Sequence, residues 1–412
     1  MTEQRTEEIA IIGGSMAGLF AAINLKSIGF KVTLYERSEI SLANRGAGIA
    51  THQGLYDALN SAGITPRQAM GVESVGRNLL DKEGKIVHRE NMRQVMSSWG
   101  LIYRFLRSQI LDAEYKNGAT LKHIEHLNTK KSSAFFENGK SVEVDWIIGA
   151  DGMNSTVRQI VDPLSQPTYA GYLAWRGLIE ENLIDIDVLG ELENVITFGV
   201  APGGHWLGYM VAGKNDTLER GKRWYNWGWY RHATPLSLRD HLTGEDGRFY
   251  ENGIPHHLIR KDLVQKMRAQ ASEYLAPQIL RVIQSTEQPF IQGMSDVGSS
   301  KLLFNRVILI GDAAFTARPH VGLGVSKAAE DASTLAKALN CLNQKQALQR
   351  WEKTRKEYGN ATLQWGRDLG SHIVPEDLIP KKDSKAFHYS SPKVLITQNA
   401  SNEPQKFLSG YL

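Results

Sequence analysis

The chain reads as an α/β protein: a Rossmann-like nucleotide-binding half, interrupted by a β-sheet half and followed by a C-terminal helix. Three observations predict this. Short apolar runs that end in a glycine turn and pass into a helical pattern recur at residues 9–37, 145–158 and 306–339. Residues 168–231 switch to aromatic and β-branched runs with no helical period. A last helical pattern covers residues 344–370.

The first of these stretches is the most specific. An apolar run over 9–12 meets Gly13, Gly14 and Gly18, passes into an amphipathic helix, stops at Gly29 and resumes as a second run ending in Glu36. Gly13 permits a sharp exit from the strand, Gly18 lets helix and strand backbones approach, and the helix N-terminus offers free N–H groups to a pyrophosphate. Glu36 lies 18 residues past Gly18 (36 − 18), close to the roughly 20 expected of the carboxylate that holds a ribose 2′-hydroxyl. Ser15 occupies the middle glycine position of G-x-G-x-x-G, where it keeps the backbone donor and adds a Cβ.

Length and composition set the frame. With 412 residues the chain buries a large core in two domains or lobes, and 42% hydrophobic with 22% charged residues is ordinary for a soluble globular protein. A net charge of +4 with no dense Lys/Arg block gives nucleic-acid binding no support. The single cysteine, Cys341, leaves no intrachain disulfide or cysteine-based metal site and fits a reducing cytoplasm. Residues 1–8 lack a basic n-region, and the apolar stretch 9–25 is too broken by Gly, Ser and Asn for a membrane span. The expectation is a cytoplasmic protein with no membrane partner.

Beyond Glu36, a glycine-containing loop carries Arg45 toward a helix over 53–60; the arginine suits either a phosphate or solvent. Alternating runs around 72–80 and 85–88, with a turn at 81–84, predict a hairpin. Residues 98–115 place Leu101, Ile102, Phe105, Leu106, Ile110 and Leu111 at helical spacing, with Arg104 and Arg107 on another face. Residues 145–158 read as strand, G-A-D-G turn and helix, with Asn154 or Ser155 as cap, Asp151 in the turn and Arg158 in the helix. Helical segments are expected near 236–242 and 259–272. The strand over 307–310 ends at Gly311-Asp312, and a loop with Pro319, Gly322 and Gly324 opens a long helix. The tail beyond 384 is polar and is expected to be mobile.

Taken together, G-G-S-x-A-G with Glu36, G-A-D-G-x-N-S-x-V-R, and G-D-A-A-x-x-x-x-P-x-x-G-x-G with Asp331 resemble the single-component FAD-dependent aromatic hydroxylases, over roughly residues 8–370. W-R-G at 175–177, N-W-G-W-Y-R at 226–231 and R-P-H at 318–320 are similar to the 2,6-dihydroxypyridine 3-hydroxylase branch, which shares the serine at position 15. The resemblance implies an FAD-binding domain of the glutathione-reductase type, with an interleaved β-sheet substrate domain. FAD-binding parts would fall at 1–70, 98–165 and 296–340, a substrate-domain hairpin at 71–97, the substrate sheet at 166–295, and a C-terminal helix and tail at 341–412. It implies the pyrophosphate turn at Gly13, Ser15 and Gly18, with Met16 and Ala17 in the same turn. Glu36 would hold the adenosine ribose with Arg37 beside it, and Arg45 the phosphates. Asp312 would meet the ribityl chain, Pro319, Gly322 and Gly324 would line the isoalloxazine, and Asp151 would stand behind the cofactor. Phe315 stands where many relatives have histidine, and Trp99 where they have an FAD-binding arginine, which leaves Arg104 or Arg107 to substitute.

The implied reaction uses NADH or NADPH as transient co-substrate and O2. Ring hydroxylation proceeds through a flavin C4a-hydroperoxide, on a small phenolic or N-heteroaromatic substrate, in an enzyme that is often a homodimer. An electron-rich ring reacts best as its phenolate, so a base or acceptor is expected near its hydroxyl. The candidates are His205 with Tyr209, then His52, and His320; for each histidine a spacer role in a loop or core is the simpler alternative. A flavin-dependent halogenase is a competing reading, weakened because Trp227-Gly228-Trp229 is followed by Tyr230-Arg231 and not by the W-x-W-x-I-P pattern. A non-catalytic flavin-bound sensor is a third.

Overall fold

The computed structural model describes residues 6–43, 48–126, 130–251, 253–378 and 380–412. A six-stranded sheet runs in the order Leu303–Phe304, Val307–Leu309, Trp146–Gly149, Glu8–Ile12, Lys31–Tyr35, Tyr115–Lys116, parallel throughout except for its first strand. Its central strands are apolar on both faces because both are covered, by helices Met16–Ser27 and Gly324–Leu339 and by a three-stranded antiparallel sheet of Leu121–His126, Ser132–Phe136 and Ser141–Val144, whose Phe136 stacks on Tyr35. Helix Met16–Ser27 buries ten of its twelve residues between the sheet and helix Gly324–Leu339.

Register explains why three distant motifs meet. Ile12 lies beside Tyr35 on one side and Gly149 on the other, and Gly149 beside Leu309. The turns that follow these strands, at Gly13, Asp151 and Asp312, therefore line up at the carboxyl edge of the sheet, where ligands bind in such folds. Gly13 has φ +108°, and a Cβ there would lie 2.4 Å from the Ala150 carbonyl oxygen; one on Gly18 would lie 1.9 Å from that of Gly13. Both positions thus exclude a side chain on space alone.

The second half is an eight-stranded sheet in the order Phe315–Thr316, Phe290–Gly298, Thr168–Glu180, Trp224–His232, Gly204–Val211, Val195–Ala201, Gly76–Leu80, Ile86–Glu90. The expected hairpin is its outer edge, formed by Gly76–Leu80 and Ile86–Glu90, while Val72–Ser74 pairs in a separate small sheet. Period-2 alternation divides the two faces. Trp175, Trp206, Trp227 and Trp229, all 3% exposed or less, form a core against helices Lys261–Tyr274 and Pro277–Ser285. Arg176, Tyr209, Asn226 and Tyr230 point the other way.

Two expectations are corrected. The apolar spacing over 98–115 yields a helix only over Trp99–Arg107; past it the chain tightens into turns bonded from Gln109 N–H to the Leu106 carbonyl and from Ile110 N–H to the Arg107 carbonyl, and the Arg107 guanidinium reaches forward to the Ile110 carbonyl at 2.8 Å and to Asp112. The tail beyond 384 forms three short helices, Lys385–Tyr389, Pro392–Gln398 and Pro404–Leu408, and buries Leu395, Ile396 and Leu408. No helix among the described residues is long and apolar enough to cross a membrane.

Candidate active site

Two cavities lie along the carboxyl edge of the parallel sheet. The first, of about 380 Å³, is lined by Gly13, Ser15, Met16, Ala17, Glu36, Arg37 and Asp151. The second, of about 290 Å³, lies between that edge and the large sheet and includes Pro319, Gly322, Tyr209 and His320. Ile49, Asp312, Gly324 and Val325 line both, so the two form one continuous crevice. Gly324 opens the sixteen-residue helix at this junction, and the space where its Cβ would stand is empty to 4 Å. A helix N-terminus facing open space offers unpaired N–H groups and a positive dipole end to an electron-rich ligand.

The glycine turn at the first cavity is prearranged. Glu36 Oε2 accepts the Gly14 N–H at 2.8 Å and Oε1 the Ser38 N–H at 2.9 Å, while the Tyr115 hydroxyl donates to the Gly14 carbonyl at 2.9 Å. Ser15 caps the helix by backbone conformation alone, leaving its hydroxyl free to face the cavity. Trp99 lines the same cavity and stacks on Tyr103 at 4.8 Å. Asp151 accepts from the Val157 N–H at 3.1 Å and from the Ser155 hydroxyl; burial raises its pKa against those bonds. Arg158, fully buried, binds the carbonyls of Ala313 (2.9 Å), Ser165 (3.0 Å) and Met153, clamping the G-A-D-G turn to the Asp312 turn.

Asp312 is open to the crevice at the junction of the two cavities, with protein packed densely around it. Burial raises its pKa, Asp331 adds to the rise, and the charges of Lys327 and Arg158 oppose it. Behind it, Asp331 accepts from Lys327 at 3.1 Å, Arg355 at 2.6 Å and the Gly311 N–H at 2.9 Å, fixing the turn. Phe315 fills the gap left by Gly298 and Gly359, so the residue that replaces histidine belongs to the core.

Not every expected residue reaches the crevice. Arg104 is held by Asp216, at 2.8 Å through Nε, and by the Ala43 carbonyl at 2.6 Å; it lines a separate groove, and Arg107 covers the Tyr115 ring. Neither lines either of the two cavities of the crevice. Arg45 lies outside the described residues. His52 bonds through Nε2 to the Ser401 carbonyl at 2.8 Å and spaces two helices from the tail; burial pushes its pKa down to about 4. His205 is one layer behind the cavity, its Nδ1 3.0 Å from His372 Nε2, and burial first, then the neighbouring histidines, keeps it neutral. His320 does line the cavity, yet its Nε2 is engaged by the Tyr172 hydroxyl at 2.8 Å and burial lowers its pKa well below the ordinary value. Of the proton-transfer candidates, Tyr209 alone turns an uncommitted hydroxyl to the cavity among the described residues; burial raises its pKa, so it is a neutral phenol.

Sequence reasoning missed several lining groups. Four cations border the second cavity, hereafter the ring cavity for the ring ligand proposed below: Arg77, Arg176, Arg318 and Lys327. Arg77 is spent on carbonyls, Arg318 on Asp296 at 2.8 Å, and Lys327 on Asp331. Arg176 pairs with no carboxylate among the described residues, and its buried Nε has no acceptor. Gly228 stands directly across the strand pair from it and leaves the guanidinium room. The signal in the sequence was a lone arginine in an otherwise apolar strand. The W-x-W pair, by contrast, is core on the far face: Trp227 donates to Thr286 Oγ1 at 2.9 Å.

Residues 6–176 and 256–366, more than half of the chain, match the family described as FAD binding domain, and residues 169–296 match the one described as FAD binding domain-like. Over 391 residues the chain is 28% identical to 2,6-dihydroxypyridine 3-monooxygenase of Paenarthrobacter nicotinovorans, covering 94% of this chain and 97% of that protein. The structure of 2,6-dihydroxypyridine-3-hydroxylase from Arthrobacter nicotinovorans superposes with a TM-score of 0.84 at 27% identity, over 93% of this chain and 96% of that one. Klebsiella pneumoniae HpxO complexed with FAD and uric acid shares the fold, with a TM-score of 0.76 at 19% identity over 100% and 98% of the two chains. With its glycine turn, the carboxylate of Glu36 against it and paired cavities on one sheet edge, the chain belongs to the FAD binding domain family, as an FAD-dependent aromatic-ring monooxygenase.

Proposed function

We propose that the enzyme hydroxylates a small phenolic or hydroxypyridine-type ring bound as its anion, with NADH or NADPH as reductant. The balance is ring C–H + O2 + NAD(P)H + H⁺ giving ring C–OH + H2O + NAD(P)⁺. Arg176 carries this reading: a cation left without a counter-charge in a cavity otherwise walled by groups such as Ile196, Phe198 and Leu207 calls for an anionic ligand.

Gly13, Ser15, Met16, Ala17, Glu36 and Arg37 hold the adenosine and pyrophosphate, Asp312 the ribityl chain, and Pro319, Gly322 and Gly324 the ring system, with Asp151 bracing the middle. Bound FAD supplies the two-electron chemistry between hydride donor and O2. Arg176 lowers the pKa of the ring hydroxyl, so the ring is activated without a histidine base. Tyr209, neutral, hydrogen-bonds that oxygen and orients the ring. The apolar wall excludes water from the reacting atoms. The exposed, unpaired Cys341 suits a reducing cytoplasm, and a homodimer is the assembly the family resemblance implies.

The test is turnover of the holoenzyme with hydroxypyridines, hydroxynicotinate and salicylate-like phenols under ¹⁸O2. One ¹⁸O in the ring product per NAD(P)H supports the proposal. Oxidation of NAD(P)H to H2O2 alone with every ring contradicts it, and stoichiometric FAD with no NAD(P)H oxidation favours a flavin-bound sensor.

A further inference from the structure

The C-terminal tail supplies a wall of the ring cavity, and a buried arginine holds three of its carbonyls there. Arg77, on strand Gly76–Leu80, is 1% exposed and makes no ion pair among the described residues, although Glu90 stands across the strand pair from it. Its Nη1 donates to the carbonyls of Ile396 (3.0 Å) and Asn399, and its Nη2 to those of Ala400 (2.7 Å) and Gln94 (2.8 Å through Oε1). Three of these four acceptors belong to the end of helix Pro392–Gln398, where carbonyls lack helical partners and a cation is favoured.

The same residues touch the site. Arg77, Asn399 and Ala400 all line the ring cavity, and Ile396 and Leu395 pack in one cluster with Phe198, Ile196 and Tyr209, which line it too. On the cofactor side, the Ala400 N–H donates to the His320 carbonyl at 2.7 Å, the Ser401 carbonyl meets His52, and a Cβ on Gly322 would lie 2.6 Å from that of Ala400. Ala400 itself holds φ +45°, a left-handed conformation that an alanine keeps only where its surroundings impose it. The segment thus bridges the sheet that covers the substrate and the loop that holds the cofactor.

We propose that residues 396–401 are the specificity wall of the ring cavity, setting the ring size it admits, and that Arg77 is the positioning residue that locks them in place. Resting as it does on the proposed ring hydroxylation, the inference needs a readout independent of turnover.

Two variants test it in the FAD-loaded protein. Arg77→Lys keeps the charge but cannot span three carbonyls, and Ala400→Gly removes the wall's methyl group while accepting the backbone conformation. Amide hydrogen exchange of residues 392–402 is expected to accelerate at least tenfold in Arg77→Lys, with residues 9–35 unchanged. Affinities read from flavin absorbance are expected to shift in both variants by tenfold or more toward bicyclic hydroxyquinolines relative to hydroxypyridines. Unchanged exchange in Arg77→Lys overturns the lock, and an unchanged size preference in both variants overturns the wall. If no ring perturbs the flavin of the unaltered enzyme, the proposed substrate class fails while the exchange result still decides whether Arg77 fastens the tail.

Discussion

The carboxylate of Glu36 closes the glycine turn that precedes it by accepting the Gly14 N–H at 2.8 Å, 22 residues back in the chain. The acid assigned to the ribose is therefore also a strut of the pyrophosphate turn. Glu36→Ala removes both roles and takes the acceptor from two backbone donors, the Gly14 and Ser38 N–H groups. A hydrogen bond to a charged group contributes about 1.5–3 kcal/mol, which raises the FAD dissociation constant roughly tenfold to a hundredfold. Flavin fluorescence titration of the deflavinated protein measures it, and an unchanged constant removes Glu36 from the cofactor site.

Arg176 makes a separable prediction. Arg176→Gln keeps a polar side chain of similar reach and discards the charge, so anionic ring substrates bind roughly tenfold to a hundredfold more weakly. FAD affinity is expected to change far less, because the adenosine and pyrophosphate contacts lie in the other cavity, which Arg176 does not border. Equal losses for FAD and ring, or none for either, contradict the assignment.

Tyr209→Phe deletes a hydroxyl without a cavity, so the fold is preserved while the ring loses an orienting contact. Turnover to hydroxylated product is expected to fall about tenfold, the equivalent of about 1.4 kcal/mol, with a larger share of NAD(P)H ending as H2O2. Paired assays of product and peroxide check this; unchanged coupling removes Tyr209 from the reaction.

Four buried histidines predict acid lability. Burial holds His52 and His372 at about 4 and pushes His205 and His320 well below their ordinary value. In the unfolded chain each ring takes up its proton near pH 6.5, so between about pH 6.5 and 4 the unfolded state binds more protons than the native one. Stability is complete above pH 6.5 and falls as the pH drops through that window, by up to about 1.4 kcal/mol per pH unit for each ring. Guanidinium unfolding at pH 7.5 and 5.5 gives the slope, and His372→Gln is expected to flatten it by one ring's share. An unchanged slope contradicts the account.

The parts of the fold legible in the sequence are those that short-range backbone geometry dictates. Gly13 and Gly18 permit no side chain, Ser155, one of the two caps expected, caps its helix, and Gly311-Asp312 follows a strand that pairs in register with the others. What sequence could not show depends on partners far along the chain. Arg104 faces outward at helical spacing whether or not Asp216, 112 residues away, is there to claim it. The polar tail gave no sign of burial because its anchor, Arg77, lies more than 300 residues earlier. His205 and Tyr209 share one face of one strand, and only the third dimension places the histidine behind the cavity and the tyrosine in it.

Rapid-mixing reduction of the bound FAD by NADH and by NADPH, with and without hydroxypyridines, hydroxynicotinate and salicylate-like phenols, tests the central claim most directly. In the family resembled, substrates accelerate this step. A ring compound that speeds flavin reduction in the unaltered enzyme, and loses that effect in Arg176→Gln, is the result the account predicts. Full flavin occupancy with no acceleration by any ring compound would contradict it.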